Sequence, residues 1–361
     1  MTDEDLLALH AALVAIPSVS HQERDIADWL CAWLEARGVA VQRHLNNVWA
    51  LGGAASPETP LICFNTHLDT VPAAPGWTRA PYDVVVEDGK LYGLGSNDAK
   101  ASVAAMVAAF VRAAKPDLGV RVLLTLVADE ETGGQGTEVL LPELLRRGLK
   151  PDAVVVGEPT SLDIAVAQKG LLILELREQG RACHAAHGRA LGAPNAVRHL
   201  ARDLVALEAV DLGPAHAELG PVTLEPTVAQ GGTARNVVPS EASCVLDVRT
   251  NPGADRIALL GRLRAGLHGE LAVLSDRLVP CEIDSAHPLV AAALAARPTS
   301  KTFGSRGLSD LVFFEGIPSI KVGPGKTERS HTPDEYIFQS EVIEGARFYQ
   351  GVLHAFARRN T

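Results

Sequence analysis

No two of the five cysteines in this 361-residue chain form a C-x-x-C pair. Cys31, Cys63, Cys183, Cys244 and Cys281 are odd in number and widely spaced. That excludes a disulfide framework and a zinc ribbon, and fits a reducing cytoplasm. Basic charge is also scarce. Against 43 Asp and Glu stand 33 Lys and Arg, a formal net charge of −10 with no basic cluster, so neither nucleic acid nor an anionic membrane is an expected partner. The longest mainly apolar run, Ala101 to Val111, falls short of the ~18 residues a membrane span needs. The acidic opening Met1-Thr2-Asp3-Glu4-Asp5 lacks the basic start of a secretory signal, and a cytoplasmic protein is expected.

Several motifs are missing too. In Gly93-Leu94-Gly95 the third glycine of G-x-G-x-x-G is replaced by Asp98, whose charge would repel a pyrophosphate. Gly325-Lys326-Thr327 resembles the tail of a phosphate-binding loop, but the required first glycine falls on Ile320. There is no G-x-S-x-G, and Ser309 has no base nearby in the sequence. The cysteines match no catalytic signature.

What is present is a soluble globular composition, 47% hydrophobic and 21% charged, long enough for about two domains. Thr2 with Asp5, and Ser20 with Glu23, fit the reciprocal capping pattern of helix starts. Strand-like runs at Val39–His44, Asn47–Leu51, Pro60–Val71, Val120–Ala128 and Ala153–Gly157 alternate with helices predicted at Lys100–Ala114 and Thr137–Arg147. Such alternation implies an α/β fold with a mostly parallel, doubly wound sheet. From about Lys169 the order changes to β-α-β-β-α: Leu171–Glu178, Asn195–Leu207, Val222–Gln230, Cys244–Arg249 and Asp255–Leu267. That reads as an inserted two-layer α+β domain. The expected division is 1–168 and 278–361 for the first domain and 169–277 for the insert. Helix His287–Ala296, strand Ser319–Val322 and a terminal helix striped with Val342, Ala346, Tyr349, Leu353 and Phe356 complete the chain.

The chemistry-bearing residues fall at strand ends. His67 and Asp69, at i and i+2, project from one face of the Pro60–Val71 strand. Asp98 lies at the turn into the Lys100 helix. Glu130 and Glu131 close one strand and Glu158 another, all at the carboxyl edge where open α/β sheets build their sites. His331 adds a second imidazole. Singly these read as a core hydrogen-bonded pair, a helix cap and solvated strand ends. Together, two imidazoles and three carboxylates without a thiolate suit Zn²⁺ or Mn²⁺. One bridging carboxylate would give two metals three ligands each. The charges also balance, +4 from two ions against three carboxylates and a hydroxide.

With these residues the sequence resembles the acetylornithine deacetylase and succinyl-diaminopimelate desuccinylase family of dinuclear zinc amidohydrolases, related to aminoacylases and zinc carboxypeptidases. The likeness covers essentially the whole chain. It rests on Asn65-Thr66-His67-Leu68-Asp69-Thr70-Val71-Pro72, Gly93-Leu94-Gly95-Ser96-Asn97-Asp98-Ala99-Lys100, Asp129-Glu130-Glu131, Gly157-Glu158-Pro159-Thr160, Gly323-Pro324-Gly325 and Ser330-His331-Thr332-Pro333-Asp334-Glu335. Three positions depart from the family: Leu94 stands where an arginine is usual, and Ala99 and Ala101 flank Lys100 where Met-Lys-Gly is common.

The resemblance implies that His67, Asp98 and Glu158 hold one zinc and His331, Asp98 and Glu131 the other, with cobalt or manganese as substitutes. Asp69 would orient His67, and Glu130 would be the general base. The insert would be a lid and homodimerisation domain, whose His184, in Gly180-Arg181-Ala182-Cys183-His184-Ala185, reaches the partner's active site. Asn236, Arg249 and Gly325 would bind substrate. Physically, the Arg249 fork suits a carboxylate, and His184 suits a developing oxyanion. Asn46-Asn47-Val48-Trp49-Ala50 and Ala74-Pro75-Gly76-Trp77-Thr78-Arg79 look most like bacterial acetylornithine deacetylases. The implied reaction is hydrolysis of an N-acyl amino acid or short peptide, N-acetylornithine first, in arginine biosynthesis. A desuccinylase or zinc exopeptidase needs only a different pocket, and a binding protein that has lost its metals is the alternative outside enzymes.

Overall fold

The computed structural model describes residues 1–113 and 118–359. The first half of the chain runs α1 (Asp3–Ala15), α2 (Arg24–Glu35), β1 (Val41–His44), β2 (Asn47–Gly53), β3 (Leu61–His67), β4 (Val85–Glu87), β5 (Lys90–Tyr92), α3 (Lys100–Ala113), β6 (Arg121–Val127), α4 (Gln135–Arg146), β7 (Ala153–Val156) and β8 (Ile164–Gln168). Then come β9 (Gly170–Gln179), α5 (Ala196–Leu207), β10 (Thr223–Gly231), β11 (Glu241–Thr250), α6 (Arg256–Gly266) and β12 (Glu270–Leu278). The chain finishes with β13 (Cys281–Glu282), α7 (Pro288–Ala296), β14 (Thr302–Ser305), β15 (Ser319–Lys321), β16 (Tyr336–Phe338) and α8 (Gln339–Arg359). It divides into two compact units, one of residues 1–166, 282–304 and 309–361, the other of 167–281 and 305–308.

The first unit is built on a nine-stranded mixed sheet, β1-β2-β6-β3-β7-β15-β8-β13 with β14 on β8. Its centre, β6, β3, β7 and β15, is parallel. β1 and β2 on one side and β8 on the other run antiparallel to their neighbours. β3 is buried at every position, as a strand covered on both faces must be. α3 is apolar nearly all round and correspondingly buried, packed with α1 and α8, and its alanines keep it slim enough for close approach. The α8 stripe Val342, Ala346, Tyr349, Leu353 and Phe356 is buried, and the Tyr349 hydroxyl donates to the Val322 carbonyl at 2.8 Å. A small antiparallel sheet, β16-β5-β4, also belongs to this unit.

The second unit is a four-stranded antiparallel sheet, β10-β11-β9-β12. Burial alternates along β9 and β11. Leu172, Leu174, Leu176, Cys244, Leu246 and Val248 form a core with Leu200, Leu259 and Leu263 of α5 and α6. That is a two-layer α+β unit.

Several sequence expectations need correction. Thr2 and Asp5 do form the capping box, at 2.8 and 3.1 Å, but Ser20 and Glu23 do not. Glu23 precedes α2 without a side-chain cap bond, and both side chains turn elsewhere. The strand expected to run to Val71 stops at His67, where the chain turns so that Asp69 can face inward. β12 was not expected, because its mostly exposed residues carry no clear alternation. Ala114, the expected last residue of α3, lies outside the described residues. No helix among the described residues is long and apolar enough to cross a membrane.

Candidate metal centre

The parallel strands bring the acidic residues to one edge. His67 ends β3, and its Nδ1 donates to the Asp69 backbone carbonyl at 3.0 Å. A carbonyl can only accept, so the neutral ring keeps its lone pair on Nε2, facing the site. The Asp69 carboxylate is 3.5 Å from Nδ1, so the hydrogen bond that orients His67 comes from the Asp69 backbone rather than from its side chain. The carboxylate instead accepts the Ser20 hydroxyl at 2.7 Å and the backbone N–H groups of Glu130 and Glu131, each at 3.1 Å.

Asp98 is set between two imidazoles. Its Oδ1 lies 3.3 Å from His67 Nε2 and its Oδ2 lies 3.7 Å from His331 Nε2. Glu158, just beyond β7, is 3.9 Å from His67 Nε2. Glu131 is 2.9 Å from His331 Nε2. Two three-residue sets result, His67–Asp98–Glu158 and Asp98–Glu131–His331, each with ligand atoms within 4.8 Å of one another. Donors bound to one tetrahedral zinc stand about 3.3 Å apart, close to these separations.

The electrostatics also call for cations. Four carboxylates, Asp98, Glu130, Glu131 and Glu158, converge on two imidazoles. Burial pushes Glu158 up to about 8. Burial, with the Glu158 charge beside it, raises Glu130 well above the ordinary carboxylate range. Burial alone would depress His67, but the Asp69 and Asp98 carboxylates beside it override that and raise the ring well above its usual value. The hydrogen bond to Glu131 lifts His331 to about 9. A buried acidic cluster with so few counter-charges fits two divalent ions held by oxygen and nitrogen donors. Glu130 lies in neither three-residue set.

Gly325 has a packing reason. Its φ is +86°, and a Cβ there would lie 2.3 Å from Asn97 Oδ1. Asn97 accepts the Lys326 N–H at 2.9 Å and donates to the Lys326 carbonyl and the Ser330 hydroxyl at 3.0 and 3.1 Å.

The other expected site residues belong to the second unit. Exposed His184 accepts the Ala186 N–H on Nδ1 at 3.2 Å, which leaves its proton on Nε2 as a free donor. Backbone bonds from Ala185 to Asn236 and from Val238 to Cys183, both 2.8 Å, lay the His184 and Asn236 segments side by side. The Arg249 fork is taken by Asp247, at 2.7 and 2.9 Å.

Sequence reasoning assigned no site role to Ser20, Glu23, Asn97 or Glu335. Glu23 is buried and accepts the Asp129 N–H at 3.2 Å, one residue before Glu130. Neither glutamate carried a sequence signal for such a role: Glu23 stands between exposed Gln22 and Arg24, and Glu335 follows the polar run Thr332-Pro333-Asp334.

The sequence model of peptidase family M20/M25/M40 matches residues 63–355. Among curated proteins, the chain is similar to a succinyl-diaminopimelate desuccinylase of Methylorubrum populi, 31% identical over 393 residues and covering 99% of each chain. Among solved structures it is similar to aminopeptidase PepT of Bacillus cereus, with a TM-score of 0.81 at 20% identity over 99% of both chains. A dinuclear metal-binding M20 peptidase of Bacillus subtilis gives a TM-score of 0.75 at 18% identity over 98% of this chain and 97% of that one. The structural likenesses speak for the fold, and the family match spans both three-residue sets from His67 to His331. On that match the chain belongs to peptidase family M20/M25/M40, metal-dependent hydrolases of amide bonds.

Proposed function

We propose that this chain hydrolyses the amide of an N-acyl amino acid on a pair of zinc ions, with N-succinyl-diaminopimelate as substrate. The observation that carries the metal-centre reading is the Asp98 carboxylate, one oxygen turned to His67 and the other to His331. The substrate choice rests on the name of a relative 31% identical along the whole chain. That puts the succinyl amide ahead of N-acetylornithine, the sequence expectation.

In this reading His67, Asp98 and Glu158 hold one ion and His331, Asp98 and Glu131 the other. The ions, when bound, supply Lewis acidity at the scissile carbonyl and lower the pKa of the attacking water. Glu130, left out of both sets, takes a proton from that water and returns it to the departing amine. Asp69 keeps Glu130 in place through its backbone. Arg249 and Asn236 grip the substrate carboxylate, for which Arg249 exchanges its Asp247 partner, and Gly325 lets the loop beside the substrate approach closely. The Nε2–H of His184 stabilises the oxyanion. The second unit acts as lid and homodimer contact, so that His184 serves the partner's site.

The test is a deacylation screen on the zinc-loaded protein with N-succinyl-diaminopimelate, N-acetylornithine and dipeptides. A kcat/KM highest for the succinyl substrate supports the proposal. A higher value for N-acetylornithine or for dipeptides overturns the substrate, and no turnover of any of them overturns the reaction.

A further inference from the structure

The bridging role of Asp98 demands an orientation that its own loop does not enforce. Residues 93–99 link β5 to α3 without regular structure, and a carboxylate on such a loop can swing. The backbone of that loop is held by Glu335, 2% exposed. Its Oε1 accepts the N–H groups of Asn97 and Asp98 at 2.8 and 2.9 Å, and its Oε2 accepts that of Gly95 at 3.0 Å. The Glu335 backbone carbonyl takes a fourth, from Gly93, also at 3.0 Å. The small sheet delivers this contact: Tyr336 of β16 pairs with Tyr92 of β5, so the residues flanking that pair, Glu335 and Gly93, meet.

Glu335 also stands four residues after His331. The segment between them is fixed from outside by Asp334, which accepts the Thr78 N–H and hydroxyl at 2.9 and 2.6 Å and the Arg79 N–H at 3.2 Å. Asn97 ties the same two loops together through Lys326 and Ser330. One buried side chain thus holds the backbone that carries the carboxylate shared by both three-residue sets, from a segment that carries an imidazole of one of them.

We propose that Glu335 is the positioning residue for the two-metal centre: by gripping three amides of the 95–98 loop it aligns Asp98 and so sets the affinity for both ions together. This rests on the proposed metal-ligand sets. Charge-assisted bonds from a buried carboxylate to backbone N–H groups are strong and directional, and outer partners of metal ligands typically govern affinity by 10- to 100-fold. Glu335→Gln keeps the volume but has only one acceptor oxygen, so its NH₂ faces at least one backbone N–H, donor against donor.

The experiment is zinc titration of the metal-free protein against a chelator of known affinity, with thermal melting of the same samples. The wild type should bind two zinc ions. Glu335→Gln should weaken both by about 10- to 100-fold. Glu335→Asp, which keeps the charge but lacks reach, should also weaken both and serves if the Gln variant does not fold. Asp203→Asn is the control for general loss of stability. Asp203 is a buried carboxylate in the second unit that accepts the His268 and Gly269 N–H groups at 2.8 Å. Its replacement should lower the melting temperature and leave zinc affinity unchanged. Wild-type zinc affinity in the folded Glu335 variant, with or without a lower melting temperature, overturns the inference. So does weakening of one ion alone. A wild type that binds fewer than two zinc ions overturns the metal-centre reading first.

Discussion

The Asp69 carboxylate accepts the backbone N–H of Glu130 at 3.1 Å. Its other oxygen accepts that of Glu131 at the same distance and also the Ser20 hydroxyl. One buried side chain therefore fixes the backbone of both the proposed base and a proposed ligand. Asp69→Asn, whose NH₂ would face those N–H groups, should lower kcat by about 10- to 100-fold and weaken zinc binding. Steady-state kinetics and zinc titration check this. Unchanged values for both would remove Asp69 from the machinery.

Glu130 and Glu131 are adjacent in sequence and separate in role. Glu130→Ala should keep two zinc ions and lose a factor of ~10² or more in turnover, because a base is lost while the ligands remain. Glu131→Ala should lose one of the two zinc ions. Metal analysis beside kcat distinguishes the two, and a Glu130→Ala protein without zinc would make Glu130 a ligand.

His184 is tested by mixing inactive subunits. In a C₂ dimer with shared sites, subunits carrying His184→Ala mixed with subunits carrying Glu130→Ala regain one intact site per mixed dimer. Removing an oxyanion donor costs roughly 10²–10³ in rate, so the recovered activity stands well above both parents. Mixed dimers as inactive as their parents would contradict the shared site.

The second unit carries its own pH signature. Burial, together with the Asp203 carboxyl group, pushes Glu178 up to about 7 from an ordinary 4.5. Between those values the unfolded chain releases a proton that the folded protein retains, so this contribution to stability is full below about 4.5 and is lost as pH rises through about 7. Glu178→Gln removes the ionisation. Relative to wild type, its melting temperature should be higher at pH 8 than at pH 5.5. An offset independent of pH would show that Glu178 titrates normally.

How much of this was legible depended on whether a residue's local pattern and its final partner agreed. Thr2 and Asp5 are three apart and bond each other, and the α8 stripe lies on one helix, so both could be read directly. His67, Asp98, Glu131, Glu158 and His331 are far apart in sequence but sit at strand ends and loop turns of a parallel sheet, and the fold type alone puts them on one edge. Ser20 and Glu23 follow the same local pattern as Thr2 and Asp5, yet their partners are Asp69 and the Asp129 backbone, which no spacing reveals. The three-residue strands β4, β5 and β16 are too short for any period, so the sheet that brings Glu335 to the Asp98 loop was invisible. The Arg249 fork pairs with Asp247 two residues away on the same strand face, a partner the residue pattern did not mark.

The central claim is that Asp98 is shared by two metal sites, and counting zinc per chain by mass spectrometry tests it most directly. The wild type should carry two ions. Glu131→Ala and Glu158→Ala, each missing a ligand from one set, should carry about one. Asp98→Ala, folded by circular dichroism, should carry neither. If Asp98→Ala retains one tightly bound zinc as those two variants do, Asp98 serves a single ion and the account of a bridged centre is wrong.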